Sequence, residues 1–121
     1  MGSESIFQNK MLVVEVTESP AEILFQFRGK SVDRDPGGFL TPLLQESLGK
    51  AGARRIVLNF VDLEYMNSSS VTPIIKLLNE IKAGTQSIRV VFAKAKKWQE
   101  LSFSALKVFQ TRDGRIEVVG Q

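Results

Sequence analysis

The chain has 121 residues, 43% of them hydrophobic and 24% charged, and this length and composition predict one compact globular domain. It contains no cysteine and no histidine, which excludes disulfides and thiolate chemistry and removes the commonest general base and metal ligand. The net charge of +3 is too mild to favour nucleic-acid binding, and no apolar run approaches the roughly 20 residues that a membrane span needs.

The first half of the chain predicts two strands and one helix. We expect residues 1–10 to be a flexible start and residues 11–121 to form the domain. Strands are predicted over residues 12–16 and 22–28, the second from its apolar alternation. A loop rich in glycine and aspartate follows over residues 29–38. A helix is then predicted from the leucines that share one face, which are Leu40, Leu43, Leu44 and Leu48.

The second half alternates strands with helices. Consecutive apolar residues at 56–58 predict a central strand that is covered on both faces. The next helix has an apolar stripe and carries Pro73 in its first turn, where a missing N–H costs little. That stripe consists of Val71, Ile74, Leu77, Leu78 and Ile81.

A strand is predicted over residues 87–92 and a last strand over residues 115–119. Between them, helical spacing predicts a third helix that buries Trp98, Leu101, Ala105 and Phe109, with Phe103 outside this stripe. The expected order is β-β-α-β-α-β-α-β. It predicts an α/β domain with a mixed, mostly parallel sheet of about five strands and three or more helices on its faces.

Three hydroxyls stand between the central strand and the second helix, on Ser68, Ser69 and Ser70. The first N–H groups of a helix have no partner within the helix, and the helix dipole makes that end partly positive. A serine at this place can cap the helix, and it can also carry a phosphate. Chemistry alone favours the cap, which is the more common use.

The strand over residues 57–60, the turn over residues 63–66 and the serine-rich helix start resemble the STAS domain, the fold of bacterial anti-sigma factor antagonists. The family hallmark is Asp-Ser-Ser-Gly at the helix start, and Asn67-Ser68-Ser69-Ser70 occupies its place, with Asn for the Asp and Ser for the Gly. Phe27-Arg28-Gly29 matches the family's step from strand to glycine. The motif is also similar to the Asn-Thr-Ser-Ser of Sia-type regulatory phosphoproteins, and residues 37–44 resemble their first helix. The resemblance covers residues 12–119.

The resemblance implies a non-enzymatic, cytoplasmic, partner-switching phosphoprotein without a cofactor. A GHKL-type kinase, which can itself be an anti-sigma factor, would phosphorylate Ser68, with Ser69 as the second choice, and a PP2C-type phosphatase would reverse this. The unmodified form would bind the kinase or another target protein. The implied docking surface consists of Leu63, Glu64, Tyr65, Met66, Asn67, Ser69, Ser70, Thr72, Lys76 and Asn79.

Other interpretations of these residues are open at this point. One is a STAS scaffold or nucleotide-binding module that is not phosphorylated, and a weaker one is a hydrolase that uses one of the serines. Asp33 and Asp35, like Asp62 and Glu64, could form an acid–base pair or a Mg²⁺ site. Capping of turns is the more common role for acidic residues in such loops.

Overall fold

A computed structural model describes residues 3–121 of the chain. The strands, in chain order, are β1 (Ser3–Asn9), β2 (Leu12–Glu18), β3 (Glu22–Ser31), β4 (Arg55–Asn59), β5 (Leu63–Met66), β6 (Ser87–Phe92) and β7 (Ile116–Gly120). The helices are α1 (Gly37–Ala51), α2 (Val71–Ala83) and α3 (Lys97–Phe103), with short 3₁₀ segments over Ser68–Ser70 and Ser104–Phe109.

The strands form one sheet in the order β1-β2-β3-β4-β6-β7, and β5 pairs with β3 beyond the end of β4. The pairs β1–β2 and β2–β3 are antiparallel, whereas the pairs β3–β4, β3–β5, β4–β6 and β6–β7 are parallel. The predicted α/β class and the mixed, mostly parallel sheet are therefore confirmed. The predicted order lacks two of the seven strands, β1 and β5.

The prediction of a flexible start is wrong for residues 3–9, and residues 1 and 2 lie outside the described part of the chain. Ser3–Asn9 forms a hairpin with β2, in which Asn9 faces Leu12 and Lys10 takes a positive φ of 56°. Its side chains are exposed apart from the half-buried Asn9, and they include the apolar Ile6 and Phe7. Pairing with a buried neighbouring strand, rather than burial of its own side chains, holds it in place.

The strand β5 was predicted as part of a turn. It is only four residues long, and it pairs with the last residues of β3 after a bulge between Gly29 and Lys30. Gly29 has a φ of 80°, and a Cβ atom there would lie 2.1 Å from the carbonyl oxygen of Met11. Only glycine fits such a close approach of two backbones, which gives the predicted strand-then-glycine step its physical reason.

One face of the sheet carries the hydrophobic core. Its side chains pack against the helices, which contribute Leu40, Leu44, Ile74 and Leu78 among others. The alternate residues Val57 and Val91 are 7% and 6% exposed but lie outside this core cluster, on the other face. The apolar residues of β4 are therefore buried on both faces, as predicted. Neighbouring side chains of the sheet, such as Leu24 and Arg89 in register with Val57, take the place of a helix.

The predicted stripe of the third helix is wrong at two of its four residues, Leu101 and Ala105. Phe103 is fully buried, whereas Leu101 is 70% exposed and Ala105 is exposed. The buried face of α3 runs through Gln99 and Phe103, which are four residues apart, and not through Leu101. The chain then continues as a 3₁₀ segment, in which the next buried residue, Leu106, follows after three. Trp98 and Phe109, predicted as core, are partly buried and pack against its edge.

Candidate functional site

The serine turn, defined here as the 3₁₀ segment Ser68–Ser70, joins β5 to α2. Ser68 and Ser69 are exposed, whereas Ser70 is fully buried. The helix α2 begins directly after the turn at Val71, which places Pro73 in its first turn as predicted. The three hydroxyls are thus not equivalent: two face solvent and one belongs to the interior.

Asn67 fixes the geometry of the serine turn with both ends of its amide. Its Oδ1 accepts hydrogen bonds from Ser70 N (3.0 Å) and Ser70 Oγ (2.5 Å), which is the capping role expected for an Asn at this place. Its Nδ2 donates to the Asp33 carbonyl oxygen at 2.8 Å, and its backbone N–H donates to the Ser31 carbonyl oxygen at 3.0 Å. An ionised aspartate could not make the bond to Asp33, because it has no donor.

Asn67, Ser70 and Ser31 together form the anchor of the serine turn. The Oγ of Ser70 lies 2.6 Å from Ser31 Oγ, and both residues are buried at the end of β3. Because Ser70 uses its single proton in the bond to Asn67, Ser31 is the donor in the bond between the two hydroxyls. Every polar group of this buried pair is therefore satisfied by a named partner. The serine at the place of the family's glycine is a structural member of the site.

Asp33 extends the anchor to the β1–β2 hairpin. Its carboxylate accepts hydrogen bonds from Asn9 Nδ2 (3.0 Å), from Asp35 N (3.2 Å) and from Lys10 Nζ (3.2 Å). These bonds, with that from Asn9 the strongest, lower the pKa of Asp33 to about 2. The backbone oxygen of the same residue accepts from Asn67, so the hairpin and the serine turn share one support.

The predicted docking residues divide into two groups. Glu64, Tyr65, Thr72, Lys76 and Asn79 are exposed, as a docking surface requires, and Asn67 is half-buried.

Leu63, Met66 and Ser70 are 0%, 8% and 0% exposed. Their side chains therefore lie beneath the predicted surface and cannot form part of it. In β5 the first and last residues are buried and the two between them are exposed, because the register shift opposite Gly29 and Lys30 leaves Glu64 as an extra residue.

A cleft of about 290 Å³ opens beside Ser69, between the loop after β3, the start of α1 and the first turns of α2. Its lining residues are Arg34, Asp35, Pro36, Gly37, Thr41, Ser69, Thr72, Pro73 and Lys76. The cleft joins a motif serine to two cationic side chains that lie 35 and 7 residues away in sequence. Sequence reasoning placed Lys76 near the serines through helical periodicity, but it gave no signal for Arg34.

The acidic residues Asp33 and Asp35 have neighbours within the domain that occupy or adjoin their carboxylates. Across residues 3–121, no three potential metal-ligating side chains come together. The carboxylate of Asp33 is occupied by the hairpin, and Asp35 lies over the first residues of α1.

Across residues 3–121, no helix is both long and apolar enough to cross a bilayer.

The chain was compared with protein-family models, curated proteins and solved structures. No family model matches, and no curated protein matches. The structure of the anti-sigma factor antagonist SpoIIAA in its unphosphorylated form is similar, with a TM-score of 0.55 and 13% identity over 98% of this chain and 90% of that one. This chain has a SpoIIAA-like fold.

A second similar structure is that of an uncharacterised DUF3478-family protein with a SpoIIAA-like fold from Shewanella loihica PV-4. It has 19% identity and a TM-score of 0.48 over 98% of this chain and 84% of that one. The predicted STAS-like fold is thus confirmed through SpoIIAA, while membership of the Sia-type branch stays a prediction. At 13% identity the likeness concerns the fold alone, so the function has to be argued from the serine turn.

Proposed function

We propose that this protein is a partner-switching regulatory phosphoprotein, similar in role to an anti-sigma factor antagonist. A GHKL-type kinase phosphorylates Ser68, a PP2C-type phosphatase removes the phosphate, and the charge on the turn controls protein binding. In this proposal the protein acts in the cytoplasm, catalyses no reaction itself and binds neither nucleic acid nor membrane. The similarity to SpoIIAA, which was solved in its unphosphorylated form, supports a phosphorylated counterpart here.

The observation that carries the proposal is that the serine turn has exposed and buried residues with different roles. Ser68 is exposed, while Asn67 and Ser70 hold the turn in place through buried or half-buried hydrogen bonds. A charged group can therefore be added at residue 68 without breaking the anchor. Exposed Glu64 and Tyr65 on one side and Thr72 on the other give a partner a surface around this hydroxyl.

Phosphoryl transfer would form a P–O bond at Ser68 Oγ and break the bond between the γ-phosphorus and its bridging oxygen in ATP. The products are the phosphoserine, ADP and the proton of the hydroxyl. The turn gains nearly two negative charges at pH 7. A partner surface fitted to a neutral hydroxyl then meets steric and charge conflict, so release needs no refolding.

The first test is phosphorylation itself. The full chain is incubated with ATP and each GHKL-type kinase that the same genome encodes, and its intact mass and phosphopeptides are measured. We expect a phosphopeptide that carries phosphate on Ser68, which Ser68→Ala abolishes and the PP2C-type phosphatase reverses. Absence of any added phosphate would overturn the proposal and favour the scaffold or nucleotide-binding alternative.

The second test separates charge from shape at residue 68. Ser68→Asp should weaken kinase binding by 10-fold or more, since charge conflict at a docking surface costs several kcal/mol. Ser68→Ala should bind like the parent and stay bound in the presence of ATP. Thr85→Asp is the matched control, because Thr85 is an exposed hydroxyl just beyond the other end of α2. Equal affinity of all four proteins would contradict the switch.

A further inference from the structure

The second exposed serine lies in a different electrostatic environment from the first. Ser69 lines the cleft described above together with Arg34 and Lys76, whereas Ser68 does not contribute to its walls. Both cations are exposed, one on the loop after β3 and the other on α2. The cleft therefore brings positive charge from two separate elements to one motif hydroxyl.

These two cations have no carboxylate partner among residues 3–121. Seven of the other fourteen basic residues form a salt bridge, and the rest, such as Lys82, form none within the described part of the chain. The paired residues are Arg28 with Glu15, Lys50 and Arg54 with Glu18, Arg55 and Arg89 with Glu117, Lys10 with Asp33, and Arg115 with Asp113. The acidic residue of the cleft is Asp35. Its carboxylate oxygens lie 3.6 and 3.5 Å from where a Cβ atom would stand at Gly37 and Gly38, so the group is turned over the start of α1.

The remaining walls suit a tetrahedral oxyanion. The hydroxyls of Thr41 and Thr72 are hydrogen-bond donors, and an arginine fork binds phosphate oxygens in pairs. A volume of about 290 Å³ equals that of several water molecules, so a phosphoryl group on the Ser69 side chain fits inside. With Arg34, Lys76 and Asp35 counted together, the empty cleft carries a net charge of +1.

We infer that this cleft receives a phosphoryl group on Ser69 and holds it against the domain, while a phosphate on Ser68 stands free in solvent. The inference rests on the proposed function for its source of phosphate. Transfer forms a P–O bond at Ser69 Oγ, breaks the γ-phosphorus bond to the bridging oxygen of ATP, and releases ADP and the hydroxyl proton. Phosphorylation at residue 68 then presents charge to a partner, whereas phosphorylation at residue 69 neutralises the cleft.

The test compares two full-length chains that carry phosphoserine, incorporated during translation, at residue 68 or at residue 69. The second pKa of each phosphate, ordinarily about 6, is measured by ³¹P NMR titration. Nearby cations favour the dianion, so we expect the value at residue 69 to be lower than that at residue 68 by about half a unit or more. Arg34→Gln and Lys76→Gln should each reduce this difference.

Lys82→Gln is the matched control, because Lys82 is an exposed lysine in the last turn of α2, and it should leave the difference unchanged. Equal second pKa values at the two positions, or a lowered value that neither Arg34→Gln nor Lys76→Gln changes, would overturn the inference. This measurement needs no kinase. If the second pKa at residue 69 is lowered but no kinase phosphorylates the chain, the cleft is confirmed and the proposed function is overturned. If a kinase phosphorylates the chain but the two second pKa values are equal, the proposed function holds and the inference about the cleft is overturned.

Discussion

Two places in this molecule join an α-helix to a 3₁₀ segment, in opposite order and with different supports. At the start of α2, the serine turn precedes the helix and is held by small polar groups: Asn67, Ser70 and Ser31. At the end of α3, the 3₁₀ segment follows the helix, and the junction is held by Phe103 within a stack of phenyl rings.

The second junction is embedded in the core. The ring centroids of Phe60 and Phe103 lie 4.6 Å apart, and those of Phe27 and Phe60 lie 4.4 Å apart. The buried Gln99 accepts a bond from Ala93 N at 2.7 Å and donates to the carbonyl oxygens of Phe60 (2.6 Å) and Leu63 (3.0 Å). Gln99 therefore fixes the entry to β5, and α3 supports the site from below without reaching its surface.

The difference between the two junctions shows that one contributes mainly to stability, while the other holds side chains exposed to solvent. Apolar packing at α3 is strong and non-directional, so nothing at that junction needs to face solvent. Hydrogen bonds between small side chains at α2 are directional, and they leave Ser68 and Ser69 free on the outside. Changes at α3 should mainly alter stability, whereas changes at the serine turn should divide sharply between inner and outer residues.

The largest effect should follow Phe103→Ala. Removal of a fully buried phenyl ring leaves a cavity in the stack, and we expect the free energy of unfolding to fall by about 3–5 kcal/mol. Leu101→Ala, in the same helix but with a 70% exposed side chain, should change it by less than about 0.5 kcal/mol. Urea denaturation of the two variants measures both values, and similar losses would disprove the observed burial pattern.

Within the serine turn, Ser70→Asp should cost about 3 kcal/mol, because it places a carboxylate in a fully buried site beside Ser31 and Asn67 Oδ1. Ser69→Asp, one residue earlier and exposed, should change the free energy of unfolding by less than about 0.5 kcal/mol. The comparison is made by chemical denaturation at pH 7. If the two variants were equally stable, the inner and outer serines would not differ as described.

A smaller loss is expected for Asn67→Asp. The bond from Nδ2 to the Asp33 carbonyl oxygen is replaced by a repulsive contact between two acceptors, which should cost about 1–3 kcal/mol at pH 7. The loss should shrink as the pH falls, because a protonated carboxyl regains a donor. Asn67→Ala, which cannot titrate, is the control. A loss that does not depend on pH would show that the amide donor is unimportant.

The smallest effect concerns Asp33 and acid. Its pKa is lowered to about 2, mainly by the bond from Asn9, so its contribution to stability is complete above the ordinary value of about 4 and is lost as the pH falls towards 2. Asp33→Asn should make unfolding less dependent on pH in this window. Thermal unfolding of the parent and the variant at pH 4, 3 and 2 tests this. If the melting temperature depends on pH equally in both proteins, the Asp33 carboxylate does not stabilise the hairpin.

Much of the site was predictable from local patterns. The spacing of Ile74, Leu78 and Ile81 fixes the buried face of α2, and Pro73 limits where the helix begins. Asn67 caps the turn, a role for which asparagine and aspartate are both preferred, whereas no side chain of the serine turn caps α2. These features depend on residues within a few positions of one another, and local sequence determines them because helix periodicity and capping act over one or two turns.

Only the tertiary structure decided how the three serines divide. Ser70 turns inward because Ser31, at the end of β3, offers it a buried partner, and Asn67 finds its acceptor on Asp33. The strands β1 and β5 exist because a neighbouring strand pairs with them, and Phe103 is core because α3 packs the face that carries Gln99 and Phe103 against Phe60. Contacts across tens of residues depend on which elements the fold brings together. The sequence by itself determined the α/β elements and the serine-rich helix start, and the packing of distant segments decided which hydroxyls face solvent.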